Sequence, residues 1–527
     1  TGDLLPPLVH LGAAAPSGLV RIPNSNPGTP ETLLATSFNM HQVTRHKLTL
    51  AGASFRVATT PLLTCDDVDF HPTDILVDAD GSLLVLDTGG WYKLCCPTSH
   101  LWKPDILGGI YRISRKGAPL IEDPRGQELA WRHVPVEELL RRLADPRPAV
   151  RHRAADQLVS QSQRTEEWLD DNFATRPPAV RLQLVWILTR VGSDNAVTCL
   201  RSLLEDDEPE IVTAALKGLS LLRDRGCLEA ARKLLQHPDG AVRRNAAELC
   251  GRTADRSAIP DLLAALTRTS DRWEQHALTY ALIEIADVSA LKQNLTHQSA
   301  SVRASVAWAL QSVAPDQLQA ETVLPWLTSE TPLLQQTAQL LTAQRQDWET
   351  PLADWLQRQL AGGGSVSSSL LAVVQHFGQS EHVQRVVLAA AASDTLAASA
   401  RAALIRGLGK SGRHPIPQDL TDTVVSLLET SHPELLQALL DWLRASERSA
   451  AFNRRIWPKL LAIAQDDHYS ATIRLQALAL GGEERPVLPK PLFEFVLEHL
   501  DAEQSVPEQL AAVAALREGT VSPLQRR

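Results

Sequence analysis

One pattern of polar and apolar positions repeats along the chain between residues 136 and 515. Each copy has a polar or proline-containing turn, an apolar position and an alanine-rich amphipathic stretch, as in 145-DPRPAVRHRAADQL-158 and 237-HPDGAVRRNAAEL-249. The apolar positions, 29 to 38 residues apart, are Val150, Val180, Ile211, Val242, Trp273, Val302, Leu334, Val366, Ala398, Leu435 and Ile473. Helical amphipathicity at this period predicts paired helices, with the second helix of each pair starting near the apolar position.

This pattern resembles HEAT repeats, which implies an α-solenoid over residues 136–515 and a mainly α fold class. A helical pair of about thirty residues cannot bury a core of its own, so we expect the pairs to stack on one another. No catalytic pattern is visible in these residues, and we expect their surface to dock a protein partner. Residues 516–527 are expected to form a flexible tail.

An arginine follows the apolar position in five of the repeats. These residues are Arg151, Arg181, Arg243, Arg303 and Arg474. They allow two interpretations, a basic stripe for an acidic partner or an internal ladder of hydrogen bonds between repeats. We favour the ladder, because buried polar groups at recurring positions of a stack are usually hydrogen-bonded to neighbouring repeats.

Before residue 119 the pattern changes to short runs of alternating apolar and polar residues. The runs 17–22, 32–38, 42–50, 54–63 and 109–114 predict strands. The segment 74-DILVDADGSLLVLD-87 predicts a hairpin whose turn is Asp78-Ala79-Asp80-Gly81. We interpret residues 1–118 as about two antiparallel β-propeller blades, an incomplete propeller, followed by a linker at 119–135. The remaining blades are expected outside this chain.

Composition and charge narrow the classes of function. The chain is 44% hydrophobic but only 5% aromatic, which suits alanine and leucine contacts between stacked helices. With a net charge of -9 and scattered basic residues, it has no patch for nucleic acid. No apolar run approaches the roughly eighteen residues that span a bilayer, and no signal peptide is visible. No phosphate-binding loop, nucleophile elbow or metal-binding motif is present, so we predict no metal site.

One stretch of the N-terminal segment is more specific than the repeats. The sequence 69-DFHPTDILVDADGSLLVLDTGGWYKLCCPTSHLWKPDILGGIYRI-113 resembles the last propeller blade of the bacterial membrane-bound dehydrogenases, in which a sugar-dehydrogenase-like propeller precedes HEAT repeats and often a cytochrome c domain. The resemblance implies a periplasmic or otherwise extracytoplasmic location and a sugar or aldehyde substrate at the propeller. It implies quinone, calcium and haem c as cofactors of the full-length protein. The haem motif C-x-x-C-H is absent, and 95-CCPTSH-100 fails on spacing.

Two carboxylates of the predicted hairpin are candidates for the propeller channel. If the register follows the turn, Asp74 lies opposite Asp87, where the pair could hold a cation or serve as a general base. The alternative is that both cap turns. Asp78 and Asp80 resemble the opening of a calcium loop, but the downstream glutamate is missing and turn chemistry is the favoured interpretation.

Histidines form the second set of candidates. His41 and His46 are five residues apart on a predicted strand, so they point to opposite faces and cannot share one ion. His41, with Asn39 and Arg45, is a candidate for the channel lining, and so is His71 before Pro72. The alternative for each is packing in a turn or at the surface.

The six cysteines leave the redox compartment open. Cys65 is a candidate to pair with Cys95 or Cys96, and a Cys65–Cys96 disulfide would suit an oxidising periplasm. Cys199, Cys227 and Cys250 are expected to be small buried helix residues.

Two functions are compatible with this sequence. The first is an extracytoplasmic propeller and HEAT protein that resembles quinoprotein-type sugar or aldehyde dehydrogenases, with the solenoid as a docking scaffold. The second is a non-enzymatic HEAT scaffold, or a protein that binds carbohydrate or protein. Whether the full-length protein is an enzyme is left open, because propellers and solenoids host many functions.

Overall fold

The computed structural model describes residues 5–22, 31–90, 103, 105–117, 120–169, 173, 176–362, 366–481, 486–501 and 504–517. By its internal contacts the chain divides into two compact units, here called unit 1 (residues 3–315) and unit 2 (residues 316–527). Unit 1 contains all the strands of the described residues and the first half of the helices.

The strands of unit 1 form two antiparallel sheets in which each strand pairs with its neighbours in sequence. The four-stranded sheet has the order β1 (Pro16–Ile22), β2 (Glu31–Ser37), β3 (Gln42–Ala51) and β4 (Ser54–Thr64). The three-stranded sheet has the order β5 (Pro72–Val77), β6 (Leu83–Asp87) and β7 (Gly109–Ile113). The predicted strands are therefore confirmed to within two residues at each end, while the wider propeller stays a prediction.

The predicted register of the hairpin is wrong. Asp74 pairs with Leu86 rather than with Asp87, and Pro72 pairs with Asp87, with an irregularity between Pro72 and Asp74. Two causes act together. The turn extends to Ser82, because the Asp78 N–H donates to the Ser82 carbonyl oxygen at 2.8 Å, and the extra residue in β5 forms a bulge. The two carboxylates thus do not face each other across the strands.

The two sheets share one apolar core. Its buried members are Leu34, Val43, Phe70, Ile75 and Val85, which come from both sheets and from the loop before β5. Val20, Leu63, Leu83 and Ile113 pack around them. This shared core packs the two sheets against each other.

The helices of unit 1 alternate as first and second members of pairs. They are α1 (Val136–Arg142), α2 (Pro148–Ser160), α3 (Ser162–Leu169), α4 (Pro178–Val191), α5 (Asp194–Ser202), α6 (Pro209–Leu221), α7 (Leu228–Leu234), α8 (Gly240–Arg252), α9 (Ile259–Arg268), α10 (Arg272–Ile285), α11 (Val288–Gln293) and α12 (Ala300–Val313). From α2 to α12 the even-numbered helices stack side by side, and the first helices from α5 to α11 pack against their own second helices.

Unit 2 continues the same alternation along the sequence. Its helices are α13 (Ala320–Val323), α14 (Pro332–Ala343), α15 (Glu349–Ala361), α16 (Ser368–Phe377), α17 (Glu381–Ala392), α18 (Ala398–Lys410), α19 (Thr421–Leu427), α20 (Pro433–Ala445), α21 (Ala450–Gln465), α22 (Ala471–Ala479), α23 (Lys490–Glu498) and α24 (Val506–Arg517). Within this unit, α16, α18, α20, α22 and α24 stack in one layer. Residues 518–527, most of the predicted tail, lie outside the described residues.

The predicted repeat pattern is confirmed in both units. The second helices, α2 to α22, begin within two residues of the apolar positions of the sequence pattern. Proline occupies the first turn of several of them, where the missing N–H is not needed for a helical hydrogen bond. In α8 and α10 the caps are Asp239 and Asp271, whose carboxylates accept backbone N–H groups of the first turn. The fold class is a HEAT-like α-solenoid preceded by two small antiparallel sheets.

The described residues of the predicted linker pack on the first repeat. The Trp131 indole N–H donates to the Gly126 carbonyl oxygen at 2.6 Å, and its ring lies between the guanidinium groups of Arg142 and Arg153, at 4.6 and 4.8 Å. Gly126 has a φ of +62°, and a Cβ there would lie 2.6 Å from Val150. In the described parts of the chain, no helix is both long and apolar enough to cross a membrane.

Candidate functional site

The carboxylate of Asp87 caps the turn after β6. Its Oδ1 accepts the backbone N–H groups of His71 and Gly89, both at 2.8 Å. The His71 imidazole is buried, with Nδ1 2.8 Å from the Gly89 carbonyl oxygen and its ring stacked on Phe38 at 4.5 Å. Asp87 therefore has the contacts expected if it caps a turn, which was the alternative to a channel role. His71 packs in the same turn.

Asp74 lies at the exposed start of β5. Its Oδ1 accepts the Ile75 N–H at 2.8 Å, and its backbone packs so closely on β1 that a Cβ at Gly18 would lie 2.6 Å from the Asp74 Cα. Calcium prefers six to eight oxygen ligands. Because Asp74 and Asp87 each bond to nearby backbone and do not pair with each other in the hairpin, they do not fit a shared calcium site.

The prediction that His41 lies on a strand is wrong. His41 adopts the left-handed conformation, with φ of 52°, in the turn before β3. The alternation of side chains along a strand therefore does not determine where His41 lies relative to His46. Its Nδ1 lies 2.7 Å from the Phe70 carbonyl oxygen, and its ring meets that of His71 edge to face at 5.4 Å. The tertiary structure thus brings His41 and His71 together, which sequence spacing did not indicate.

The other two candidates for the channel lining, Asn39 and Arg45, lie in different surroundings. The Asn39 amide bridges the N-terminal segment, donating to the Ala13 carbonyl oxygen at 2.7 Å and accepting the Ala15 N–H at 2.6 Å. Arg45 lies in the middle of β3, between Leu34 and Thr60 in the register. Its Nε is buried and has no hydrogen-bond partner among the described residues. No shared site with His41 results.

The carboxylates of the hairpin turn are held by arginine. Asp78 pairs with Arg112 at 2.8 Å and with Arg125 at 2.5 Å, and Asp80 pairs with Arg112 at 3.2 Å. Hydrogen bonds from the Ala79 N–H and then from Arg112 lower the pKa of Asp78, and those from Ser82 lower the pKa of Asp80. Both carboxylates thus bond to groups of the turn and to arginines from outside it, in agreement with turn chemistry rather than calcium binding.

The predicted Cys65–Cys96 disulfide cannot be placed, because Cys95 and Cys96 lie outside the described residues. Cys65 is half-buried and packs beside the core of the sheets. Cys227 and Cys250 are buried, and burial raises the pKa of each thiol to about 12, so both are inert as nucleophiles. Cys199 lies half-buried in α5.

Two of the five repeat arginines form an ion pair with a carboxylate of the next repeat. Arg243 on α8 makes two parallel hydrogen bonds to the carboxylate of Glu274 on α10, at 2.9 and 2.8 Å, and also donates to the His237 carbonyl oxygen at 2.7 Å. Arg181 on α4 pairs with Asp206, in the turn before α6. These are the contacts of a ladder between repeats.

The hydrogen bonds of Arg151 and Arg474 are more local. Arg151 donates to the carbonyl oxygens of Asp145 and Pro146, at 2.8 and 3.0 Å, within its own turn. Arg474 donates to the Ala464 carbonyl oxygen at 2.9 Å, and its guanidinium lies 4.1 Å from the ring centroid of Phe495. Arg303 occupies the equivalent place on α12.

The feature of unit 1 best suited to bind a partner is a groove along its second helices. It measures about 610 Å³ and is lined by α4, α6, α8 and α10, with residues of the N-terminal segment on one side. We call it the unit 1 groove. Its helical lining residues fall into two main rows at equivalent positions of the four helices. The first row is Leu182, Thr213, Arg244 and His276, and the second row is Trp186, Lys217, Glu248 and Tyr280.

Aromatic rings stand at both ends of the second row. Trp186 is 42% exposed and Tyr280 is 43% exposed, which is unusual for side chains of this size in a water-facing position. The Tyr280 ring stacks parallel to that of His276, with centroids 6.4 Å apart. Burial lowers the pKa of His276, so this imidazole is neutral at pH 7. Trp273 extends the aromatic wall at the start of α10.

Most of the charges that line the groove form ion pairs. Lys217 bonds to Glu248 at 2.6 Å between the two aromatic ends, and Arg252 lies 3.4 Å from Glu284. Arg244 differs, because its Nη1 donates to the Ala53 carbonyl oxygen at 2.6 Å and no carboxylate oxygen of the described residues lies within 4.0 Å of its guanidinium. Arg244 is therefore a fixed cation of the groove that has no charged partner among the described residues.

The turn between β3 and β4 positions Arg244. Besides the Arg244 bond, the Ala53 N–H donates to the second carboxylate oxygen of Asp271 at 2.8 Å, while the first oxygen caps α10. A Cβ at Gly240 would lie 2.8 Å from the Gly52 carbonyl carbon, so only glycine allows this approach. We call residues 51–54 the strap, since they join the sheets to the solenoid beside the groove.

Sequence reasoning missed the groove. Its signal is present, because Trp186, Lys217, Glu248 and Tyr280 are 31 or 32 residues apart and so share one phase of the repeat. In unit 2, one further group of potential ligands occurs among the described residues, Asp466, Asp467 and His468, whose ligand atoms lie within 4.8 Å of one another. All three are exposed, and exposed acidic groups of this kind are common without a metal.

Comparison with known proteins agrees with the helical part of the fold. A family model for HEAT repeats matches residues 136–220 and 213–283. Comparison with curated protein sequences gives no match. The helix pairs and this family match together define residues 136–283 as HEAT repeats.

Several solved structures are similar to this chain at low identity. The CpcE and CpcF complex of phycocyanin lyase from Nostoc sp. PCC7120 is 19% identical, with a TM-score of 0.23, and the match covers 51% of this chain and 97% of that one. Kap95p in complex with RanGDP is 12% identical, with a TM-score of 0.33 and coverage of 72% and 60%. Kap121p bound to the extreme C-terminus of the phosphatase Cdc14p is 12% identical, with a TM-score of 0.34 and coverage of 75% and 46%.

Proposed function

We propose that this protein is a docking scaffold and that the unit 1 groove is where it holds a partner protein. The observation that carries the proposal is the pair of solvent-exposed aromatic side chains, Trp186 and Tyr280, at the two ends of one row of the groove. Tryptophan and tyrosine are the residues that most often dominate protein interfaces, because each buries a large rigid surface at little cost in conformational entropy.

The HEAT architecture supports the same proposal. Second helices that stack side by side present one face each to a continuous surface, and the four helices here contribute side chains at matching positions. Among the described residues that line the groove, no nucleophile lies at hydrogen-bond distance from a base. Binding rather than catalysis is thus the use that this surface favours.

The test is selection of peptides by the intact chain. We expect a random twelve-residue phage library, panned on the immobilised protein, to yield peptides whose affinity falls about 30-fold with Trp186→Ala or Tyr280→Ala, because an interface aromatic contributes roughly 2 kcal/mol. The matched control is Leu221→Ala, which removes a side chain that is 63% exposed and outside the groove. Selected peptides that bind equally to all of these variants would show that the groove is not the docking site.

A second candidate function is the finer one suggested by the N-terminal segment, a quinoprotein-type sugar or aldehyde dehydrogenase located outside the cytoplasm. It is supported by the resemblance of residues 69–113 to the last propeller blade of that family and by two consecutive antiparallel sheets, which are the building units of a propeller. Quinone, calcium and haem c belong to this proposal, although Asp74 and Asp87 do not fit a calcium site.

Dye-linked oxidation of aldoses and aldehydes by the full-length protein, with quinone and calcium added, tests this second candidate. Turnover of any of these substrates supports a dehydrogenase. No turnover across the panel would overturn it and leave a scaffold, or a protein that binds carbohydrate or protein through its sheets. The two tests have separate readouts, because peptide binding is followed through Trp186 and Tyr280 on the helices and turnover is followed with added substrate.

A further inference from the structure

The charged side chains that line the unit 1 groove indicate the chemical class of the partner that docks there. Its lining contains the cations Arg21, Lys217, Arg244 and Arg252 and the anions Glu31, Glu210 and Glu248. Arg21 pairs with Glu31 at 2.6 Å, Lys217 with Glu248, and Arg252 with Glu284. Of these four cations, Arg244 is the one that forms no ion pair with a described residue.

We propose that the partner is an extended acidic peptide segment whose carboxylate binds the Arg244 guanidinium while apolar side chains on either side contact Trp186 and Tyr280. This deepens the proposed function and rests on it. Arginine matches a carboxylate with two parallel N–H donors, and such charge-assisted hydrogen bonds are the strong ones in interfaces.

Arg244 is oriented in advance for this contact. Its Nη1 is fixed by the Ala53 carbonyl oxygen at 2.6 Å, and the strap is itself held by Asp271. The side chain is half-buried and lines the groove. A donor that is already positioned loses little rotamer entropy when the ligand arrives, which favours binding.

A second polar atom of the same row also lacks a partner. The Thr213 Oγ1 lies next to Arg244 in the first row, is buried, and has no hydrogen-bond partner among the described residues. A buried hydroxyl without a hydrogen bond costs free energy. Because this oxygen is closed to solvent, it is not part of the contact with the peptide.

The dimensions fit a short extended segment. Neighbouring packed helices lie about 8–10 Å apart, so the three steps from α4 to α10 span roughly 24–30 Å. An extended chain rises about 3.3 Å per residue, so about seven to nine residues reach from Trp186 to Tyr280. The carboxylate should lie about two thirds of the way along, since Arg244 is on the third helix.

The test compares the peptides selected by two forms of the intact chain. Panning on the wild type should enrich Asp and Glu over the library average, and panning on Arg244→Gln should not. For one selected peptide, labelled with fluorescein and measured by anisotropy, Arg244→Gln should weaken binding roughly 10- to 100-fold. The counterpart with its acidic residue changed to the amide should bind the wild type just as weakly and lose nothing further with Arg244→Gln.

The controls separate recognition from folding. Arg190→Gln removes an exposed arginine of α4 that pairs with Asp156 outside the groove, and it should leave binding of both peptides unchanged. Arg244→Lys keeps the charge and should keep part of the acidic preference. Because the peptide pair is also compared on the wild type alone, misfolding of an Arg244 variant does not remove the test.

Two different results would overturn the inference. If the selected peptides carry no acidic excess, or if Arg244→Gln weakens the acidic peptide and its amide counterpart equally, Arg244 serves the strap and not the partner. In both cases binding still depends on Trp186 and Tyr280, and the docking proposal stands. If binding is insensitive to Trp186→Ala and Tyr280→Ala, the docking proposal fails and the inference fails with it.

Discussion

Replacement of Arg243 by methionine tests how the HEAT repeats of unit 1 are joined. The substitution keeps the aliphatic stem of the side chain but removes the guanidinium that bonds to both carboxylate oxygens of Glu274, at 2.9 and 2.8 Å. The Glu274 side chain is only 3% exposed. The variant would therefore leave a charge buried in the contact between α8 and α10 without a cation.

The structure sets the size of the expected effect. Removal of one partner of a buried ion pair costs about 3–5 kcal/mol, because the remaining charge is left desolvated. Arg243 is 26% exposed, so partial screening by water places the expected loss near the lower end, about 3 kcal/mol. An exposed pair is worth about 0–1 kcal/mol. The pair of Arg190 with Asp156, whose side chains are 52% and 68% exposed, provides that comparison.

Amide hydrogen exchange of the intact chain is the suitable assay, since a chain with two compact units need not unfold in one step. A loss of about 3 kcal/mol should accelerate exchange of amides in α8 and α10 by roughly two orders of magnitude. Arg190→Met should change exchange in α4 by about fivefold at most. A double variant, Arg243→Met with Glu274→Leu, should recover most of the lost protection, because it removes the buried charge as well.

Two results would contradict this expectation. If Arg243→Met accelerates exchange no more than Arg190→Met does, the Arg243–Glu274 contact does not stabilise the stack. If the double variant is less protected than the single one, the loss comes from packing rather than from the uncompensated carboxylate.

Two further predictions concern the strap and the sheets. Asp271→Ala removes the cap of α10 and the Ala53 hydrogen bond, so it should lower the stability of this region by about 1–2 kcal/mol and speed limited proteolysis within residues 51–54. Asp271→Asn should have a smaller effect. Equal cleavage of the wild type and both variants would contradict this prediction. Burial lowers the pKa of His46 below its usual 6.5, so at acidic pH the unfolded chain binds more protons than the folded chain. The stability that neutral His46 contributes is therefore complete above pH 6.5. It is lost as the pH falls through the folded-state pKa. The amides of β3 should lose hydrogen-exchange protection between pH 7 and pH 5, after correction for intrinsic exchange rates, and His46→Gln should reduce this loss. An equally large loss in the variant would show that protonation of His46 is not its cause.

Much of the secondary structure followed from local pattern. The second helices begin where the turn ends and the apolar position follows, because proline or aspartate at that point suits the first helical turn. The strands followed from alternation, since one face of each strand is buried in the shared core. Both signals act over a few residues, and neither depends on what the distant parts of the chain do.

The candidate site depended on contacts that local pattern does not contain. The opposition of Asp74 and Asp87 failed because one more turn residue and one bulge shift the pairing, and strand period alone does not report either. His41 and His71 meet only because a left-handed turn before β3 aims the first ring at the second. Asp78 and Asp80 are paired by Arg112 on another strand, so their environment was not visible from the hairpin itself.

The sequence by itself determined the period of the repeats, the identity of the helices and strands, and their order, because each rests on hydrogen bonds and burial within a few residues. The tertiary structure alone decided which side chains became neighbours. Trp186 and Tyr280 are 94 residues apart in sequence, yet they end one row of one groove because four helices stack in register. Arg244 gained its fixed orientation from Ala53, a contact across 191 residues that only the packing of the strap on the solenoid creates.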